Sequence, residues 1–255
     1  MTTYPTEFMP GVEGAPMDHM ELPRRTDLFE WLRLLDSLTK PTALIERALT
    51  EIDSIQGGMR QPCKAAAVGT NMLGMLATLA LRMRGAEVVT FGRVPQPLLS
   101  PNRVKGIPGW KHIWMSPALA QLPLVEEIGA RYASALELSG NGAAHRFGPF
   151  DVIILGSAEP SLMPGLTRGL AKAGALLDLA VGEAAIETWT ATSTSGFLER
   201  RRTTFQLGED DRVYIERATR NLAMADALYP GWLRRLLQSF DAPRCAGPWS
   251  AVLES

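Results

Sequence analysis

Residues 64–91 constrain this chain more than any other stretch. Lys64-Ala-Ala-Ala-Val68 is a short apolar run, and a glycine-bounded turn, Gly69-Thr-Asn-Met-Leu-Gly74, follows it. Residues 72–84 then form a strongly apolar segment closed by Gly85, and Glu87-Val-Val-Thr-Phe91 is a second run rich in β-branched residues. Strand, turn, helix and strand in that order make a βαβ unit, whose crossover implies neighbouring parallel strands with helices packed on the sheet. Once that unit is set, the rest of the chain has to extend the sheet or cover it.

The extension is visible in the pattern. Residues 122–129 suit a short helix and 131–134 a strand, and Phe150-Asp-Val-Ile-Ile-Leu155 reads as a buried strand. A helix over 161–173 is ended by Gly174, and Ala175-Leu-Leu-Asp-Leu-Ala-Val181 gives one more strand. The expected fold is therefore α/β, a Rossmann-type doubly wound parallel sheet with helices on both faces. Upstream, Thr26 caps a helix over 27–38, and a second helix starts near Pro41 with the stripe Leu44, Ile45, Ala48, Leu49 and Ile52. Residues 1–25 carry Pro, Gly and Met without a period and read as an irregular arm, so residues 26–255 form the nucleotide-binding domain. Residues 94–118, with five prolines and two tryptophans, read as a long insertion. After a polar stretch at 188–195, a strand is expected around 203–207 and helices over 211–228 and 231–239. The run Glu199-Arg-Arg-Arg202 reads as a solvated turn.

Bulk properties narrow the function classes. With 255 residues, 46% hydrophobic, 21% charged and a net charge of −1, the composition is that of a globular domain with no polyanion partner, hence no nucleic acid. The longest uncharged run, 65–81, is interrupted by Gly69, Asn71 and Gly74 and is too short to span a bilayer. The start has no basic and apolar signal pattern, and the two cysteines, Cys63 and Cys245, have no disulfide or zinc-knot spacing, so a reduced, cytoplasmic setting is expected.

The turn at 69–74 stands where a G-x-G-x-x-G dinucleotide fingerprint would be. Gly69 permits the tight turn and Gly74 close packing of helix on strand. Amides of Thr70, Asn71, Met72 and Leu73 open a helix whose positive end suits a pyrophosphate. The middle glycine is replaced by Asn71, whose side chain occupies space. A Rossmann-like turn that holds no ligand is the plain alternative. At the end of the second strand the chain reads Gly92-Arg93: no carboxylate for a ribose hydroxyl, and a guanidinium suited to a 2′-phosphate. NADP(H) is thus expected over NAD(H), with Arg103 and Lys105 as added positive charge; a solvated Arg93 is the alternative.

The stretch from Ala67 to Arg93 resembles the first βαβ of zinc-type medium-chain dehydrogenases, and its flavour is that of the glucose dehydrogenase branch. The likeness extends to Lys40-Pro-Thr-Ala-Leu-Ile-Glu-Arg-Ala-Leu49, to residues 150–154, and to the tail segments at 214–226 and 229–237. It implies an oxidoreductase acting on a small-molecule substrate, and a homodimer formed along a sheet edge, for which 203–207 is the candidate strand. That family carries a GroES-like zinc domain ahead of the cofactor domain; here its ligand motifs have no counterpart, and no zinc is expected. The family's Glu-Pro step, whose carboxylate can ligate zinc, here reads Lys40-Pro41, and an ammonium cannot ligate a metal. Lys40 and His112, the latter between Trp110 and Trp114, are the candidate catalytic groups of a metal-independent reaction. Solvated side chains are the plain reading of both. His19 and Glu159 stand behind them. The leading expectation is an NADP(H)-binding oxidoreductase acting on a small polar or secondary-metabolite substrate. The alternatives are a non-catalytic partner subunit and a cyclase, isomerase or lyase built in the old cleft.

Overall fold

The computed structural model describes residues 25–56, 63–92, 117–138, 146–156, 162–180, 183–191 and 198–241. The expected arm before residue 25, most of the insertion at 94–118, Arg93, Arg103, Lys105, His19, His112, His145, Glu159 and Cys245 lie outside them.

Seven strands form one sheet: β1 (Lys64–Val68), β2 (Glu87–Gly92), β3 (Arg131–Ser134), β4 (Phe150–Leu155), β5 (Leu170–Ala180), β6 (Glu183–Ala191) and β7 (Leu198–Phe205). Their order is β3-β2-β1-β4-β5-β6-β7. The first five are parallel, as a βαβ reading requires, and β6 and β7 extend the sheet antiparallel. The helices are α1 (Arg25–Gln56), α2 (Met72–Met83), α3 (Pro117–Glu127), α4 (Met163–Gly169), α5 (Arg212–Leu228) and α6 (Trp232–Asp241). No helix among the described residues is long and apolar enough to cross a membrane.

Side-chain alternation sorts the core onto two faces. Ala65, Val88, Val152, Ile154, Ala175 and Leu177 pack with apolar residues of α1, α2, α3, α5 and α6. Ala66, Val89, Phe91, Ile153 and Leu176 pack on the other face with Leu162 and Leu166 of the α4 segment and with Phe147. Both faces of the inner strands are buried, which explains why those strands read as continuous apolar runs rather than alternating ones.

Three expectations are corrected. The helices expected at 27–38 and from Pro41 are one helix, α1, with Pro41 in its interior. An interior proline costs on the order of 3 kcal/mol. Here Leu35, Leu38, Leu44, Ile45, Ala48, Leu49 and Ile52 are all buried on one side of α1, and that shared packing outweighs the missing hydrogen bond. The helix expected over 161–173 ends at Gly169, and β5 begins at Leu170, where it pairs with Phe150 before a register shift. Ala171, Lys172 and Ala173 favour helix locally, but they lie in the register shift between Leu170 and Ala175, and the pairing of those two residues with β4 overrides that preference. Finally, Glu199 to Arg202 are not a turn: they are paired residues of β7, opposite Thr190 to Glu187 of β6.

Candidate functional site

In this strand order the chain leaves β1 toward β2 and β3 on one side and returns to β4 on the other. The carboxyl ends of β1 and β4 therefore flank a topological switch point, where open α/β sheets hold their ligands. The glycine turn sits there. Gly69 has φ of 101°, a left-handed conformation that a side chain would strain, and its N–H donates to the Phe91 carbonyl at 2.8 Å. Gly156, directly after β4, donates its N–H to the Val68 carbonyl at 2.8 Å. The ends of β1, β2 and β4 are thus stitched together at one point.

Gly74 lies against the Gly69 carbonyl so closely that no Cβ fits between them. This is the close helix-to-turn approach expected of the last glycine in the motif. Gly156 is equally confined, since a Cβ there would lie 2.5 Å from the Gly74 nitrogen. Thr78 anchors the helix from behind: its hydroxyl donates to the Gly74 carbonyl at 2.8 Å and lies 3.0 Å from the Thr90 hydroxyl of β2.

Asn71 is the N-cap of α2. Its Oδ1 accepts the Gly74 N–H at 2.9 Å, and its Nδ2 donates to the Gly156 carbonyl. One side chain therefore satisfies a helix-opening amide and bridges the switch point from the β1 side to the β4 side. The amides of Met72 and Leu73 lie in the same first turn, where an α-helix supplies no partner of its own to its N–H groups. Thr70, Met72 and Leu73 are half-buried around it.

At the end of β2, Gly92 is buried and packs against Tyr132 and Thr70. Arg93, its neighbour in the 2′-phosphate reading, is outside the described residues, as is His112. Lys40 is exposed on α1. Gln56, at the far end of α1, donates to the carbonyls of Asp151 and Ala173 at the start of β4 and in early β5. The helix rise carries Lys40 about 24 Å along the axis from Gln56. Lys40 lies 16 residues before Gln56 on the same helix, next to Pro41. Among the described residues no three His, Cys, Asp or Glu side chains come together in a way that could hold a metal ion.

The structure brings Gly69, Thr70, Asn71, Met72, Leu73, Gly74 and Gly92 into one neighbourhood. Sequence reasoning missed Gly156, Thr78, Thr90 and Tyr132. Gly156 had a legible signal, a glycine directly after an apolar strand; the other three are ordinary strand and helix residues whose meeting depends on register.

No family model matches the chain. It is similar to the glucose 1-dehydrogenase of Methanocella arvoryzae, with 25% identity over 211 residues that cover 80% of this chain and 52% of that protein. It is also similar to the glucose 1-dehydrogenase of Thermoproteus tenax, with 27% identity over 140 residues covering 54% and 33%. The chain thus spans about half, or less, of the length of the curated relatives it matches. Among solved structures, glucose dehydrogenase of Haloferax mediterranei in complex with NADP, Zn and gluconolactone aligns with a TM-score of 0.50 at 16% identity, covering 85% of this chain and 53% of that one. That alignment shows the shared fold.

Proposed function

We propose that this chain binds NADP(H) in the crevice between the ends of β1 and β4 and serves an oxidoreductase reaction on a small polar or secondary-metabolite substrate, without a catalytic metal. One observation carries the reading: a left-handed glycine, a confined second glycine and an amide-presenting helix end meet at the switch point of the sheet. The similarity to glucose 1-dehydrogenases, and the NADP in the aligned Haloferax mediterranei structure, support the same cofactor class. The absence of a carboxylate at Gly92 and the presence of Arg93 favour the phosphorylated form.

When bound, the nicotinamide would supply the hydride acceptor or donor. The chain's own part is positional. The Met72 and Leu73 amides and the positive end of α2 receive a diphosphate, and the Gly69 turn gives the backbone its close approach. Asn71 holds the helix end to Gly156, so the turn keeps its shape without help from a ligand. Lys40, exposed on α1, is the described candidate to carry positive charge toward a substrate oxygen. An ammonium at Lys40, where the resembled family's Glu-Pro step has a carboxylate, is the reason for proposing a metal-independent reaction.

Calorimetric titration of the purified chain tests this. NADPH is expected to bind more tightly than NADH, Arg93→Ala to remove the difference, and EDTA to leave binding and turnover unchanged. Binding of neither dinucleotide at millimolar concentration overturns the proposal. A second reading, a non-catalytic partner subunit, is favoured by the Asn71 side chain, which already occupies the Gly74 amide that a ligand would otherwise satisfy. That reading expects no dinucleotide binding and an assembly in sedimentation, with β7, the last strand of the sheet, as the pairing edge.

A further inference from the structure

We propose that Tyr132 is a specificity-determining residue: its ring fills the space into which any side chain at position 92 would project. It thereby keeps the end of β2 free of a carboxylate and favours a dinucleotide bearing a 2′-phosphate over one bearing a free 2′-hydroxyl. The inference rests on the dinucleotide reading above.

In dinucleotide-binding sheets an acidic side chain about 20 residues beyond the glycine turn accepts hydrogen bonds from the adenosine ribose. The same carboxylate repels a phosphate at that place. Here β2 ends at Gly92, 18 positions beyond Gly74. A Cβ on Gly92 would collide with the Tyr132 hydroxyl, lie 2.6 Å from Tyr132 Cε2 and lie 2.8 Å from Thr70 Cγ2, all closer than the 3.0 Å that real Cβ atoms keep. Tyr132 has little room to retreat. Tyr132 is only 6% exposed, is paired on β3 opposite Thr90, and belongs to the core cluster with Leu124 and Val125 of α3. Thr70 is part of the glycine turn itself. The ban on a side chain at position 92 is thus imposed by three elements at once, β2, β3 and the phosphate turn. Glycine at 92 is a packing requirement as well as a cofactor preference. Reversal of that preference therefore needs a change at Tyr132, not only at Gly92.

The test uses the full chain with Gly92→Ala, Gly92→Asp, Tyr132→Val and the two double variants, read by thermal melting and by titration with NADPH and NADH. Gly92→Ala is expected to lower Tm by about 4 °C or more. That loss should shrink in the Tyr132→Val background, so the double variant melts above the sum of the two single losses. Gly92→Asp alone is expected to lose NADPH without gaining NADH; failure of that chain to fold counts as the same packing conflict. Gly92→Asp with Tyr132→Val is expected to shift the NADH-to-NADPH affinity ratio by about tenfold or more toward NADH, a change of about 1.4 kcal/mol. Additive melting losses, an unshifted ratio in the double variant, or a Gly92→Asp chain that prefers NADH at wild-type Tm would each overturn the role of Tyr132. Wild-type chain that binds neither dinucleotide removes the underlying reading, and the specificity role with it, whatever the melting cycle shows.

Discussion

Single side chains in this protein do more than one job where two elements meet, and Cys63 shows the chemical consequence. It sits at the entry to β1 and is 1% exposed. Burial, then the negative charges of Asp151 and Asp53, push its thiol from 9.0 up to about 11. A thiol held neutral this far is a poor nucleophile. Iodoacetamide at pH 8 is therefore expected to leave Cys63 unmodified in the folded chain and to label it after denaturation, read by peptide mass spectrometry. The same shift sets a pH dependence. Between pH 9 and 11 the unfolded chain loses this proton while the folded chain keeps it, so stability falls as pH rises through that window, by on the order of 2–3 kcal/mol. Cys63→Ala should flatten that part of the alkaline slope in denaturant melts; an unchanged slope would assign it to other groups. Asn71 belongs to the same scale. In the sequence it stands only as a side chain in place of the fingerprint's middle glycine; its cap bond to Gly74 and its bond to Gly156, 85 residues on, come from the fold.

Among elements, the junction of α1, α2 and α5 rests on a buried carboxylate. Glu46, 1% exposed, accepts from Arg84 at 2.8 Å and from Asn221 at 3.0 Å, and Arg84 also meets Asp53 at 2.8 Å. Removing one partner of a buried pair leaves a charge without compensation, which costs about 3–5 kcal/mol. Arg84→Ala is expected to destabilise the chain by that order in urea unfolding. Replacing the pair together, Glu46→Leu with Arg84→Met, is expected to recover much of the loss, because desolvation of both ions is then avoided. If the double change were as harmful as the sum of the single ones, the pair would not be the source of the coupling. The apolar stripe of α1 was legible as a period of 3.6, including Leu44, Ile45, Ala48, Leu49 and Ile52. Glu46 falls between those positions, and nothing local marks it as buried; only the arrival of Arg84 and Asn221 from distant segments does so.

At the scale of the whole molecule, the sheet should open from its ends. β1 and β4 are central and buried on both faces, whereas β3 and β7 are the terminal strands. Hydrogen-exchange mass spectrometry is expected to find β1, β4 and the parallel part of β5 protected longest and β7 exchanging first. Slow exchange throughout β7 in the isolated chain would instead mark that edge as covered by a second copy or another partner. The α/β class, the βαβ core, the glycine turn and most strand positions were all written in local pattern, since apolar runs, turn residues and helical periods are properties of neighbours in sequence. Tertiary structure alone decided the rest. It joined two helices through Pro41, ended α4 early, added β6, paired β6 and β7 antiparallel, and placed Tyr132 against Gly92. Each of these depends on free energy from contacts between segments far apart in the chain, where pairing and burial outweigh the modest preference of any single residue for helix, turn or strand.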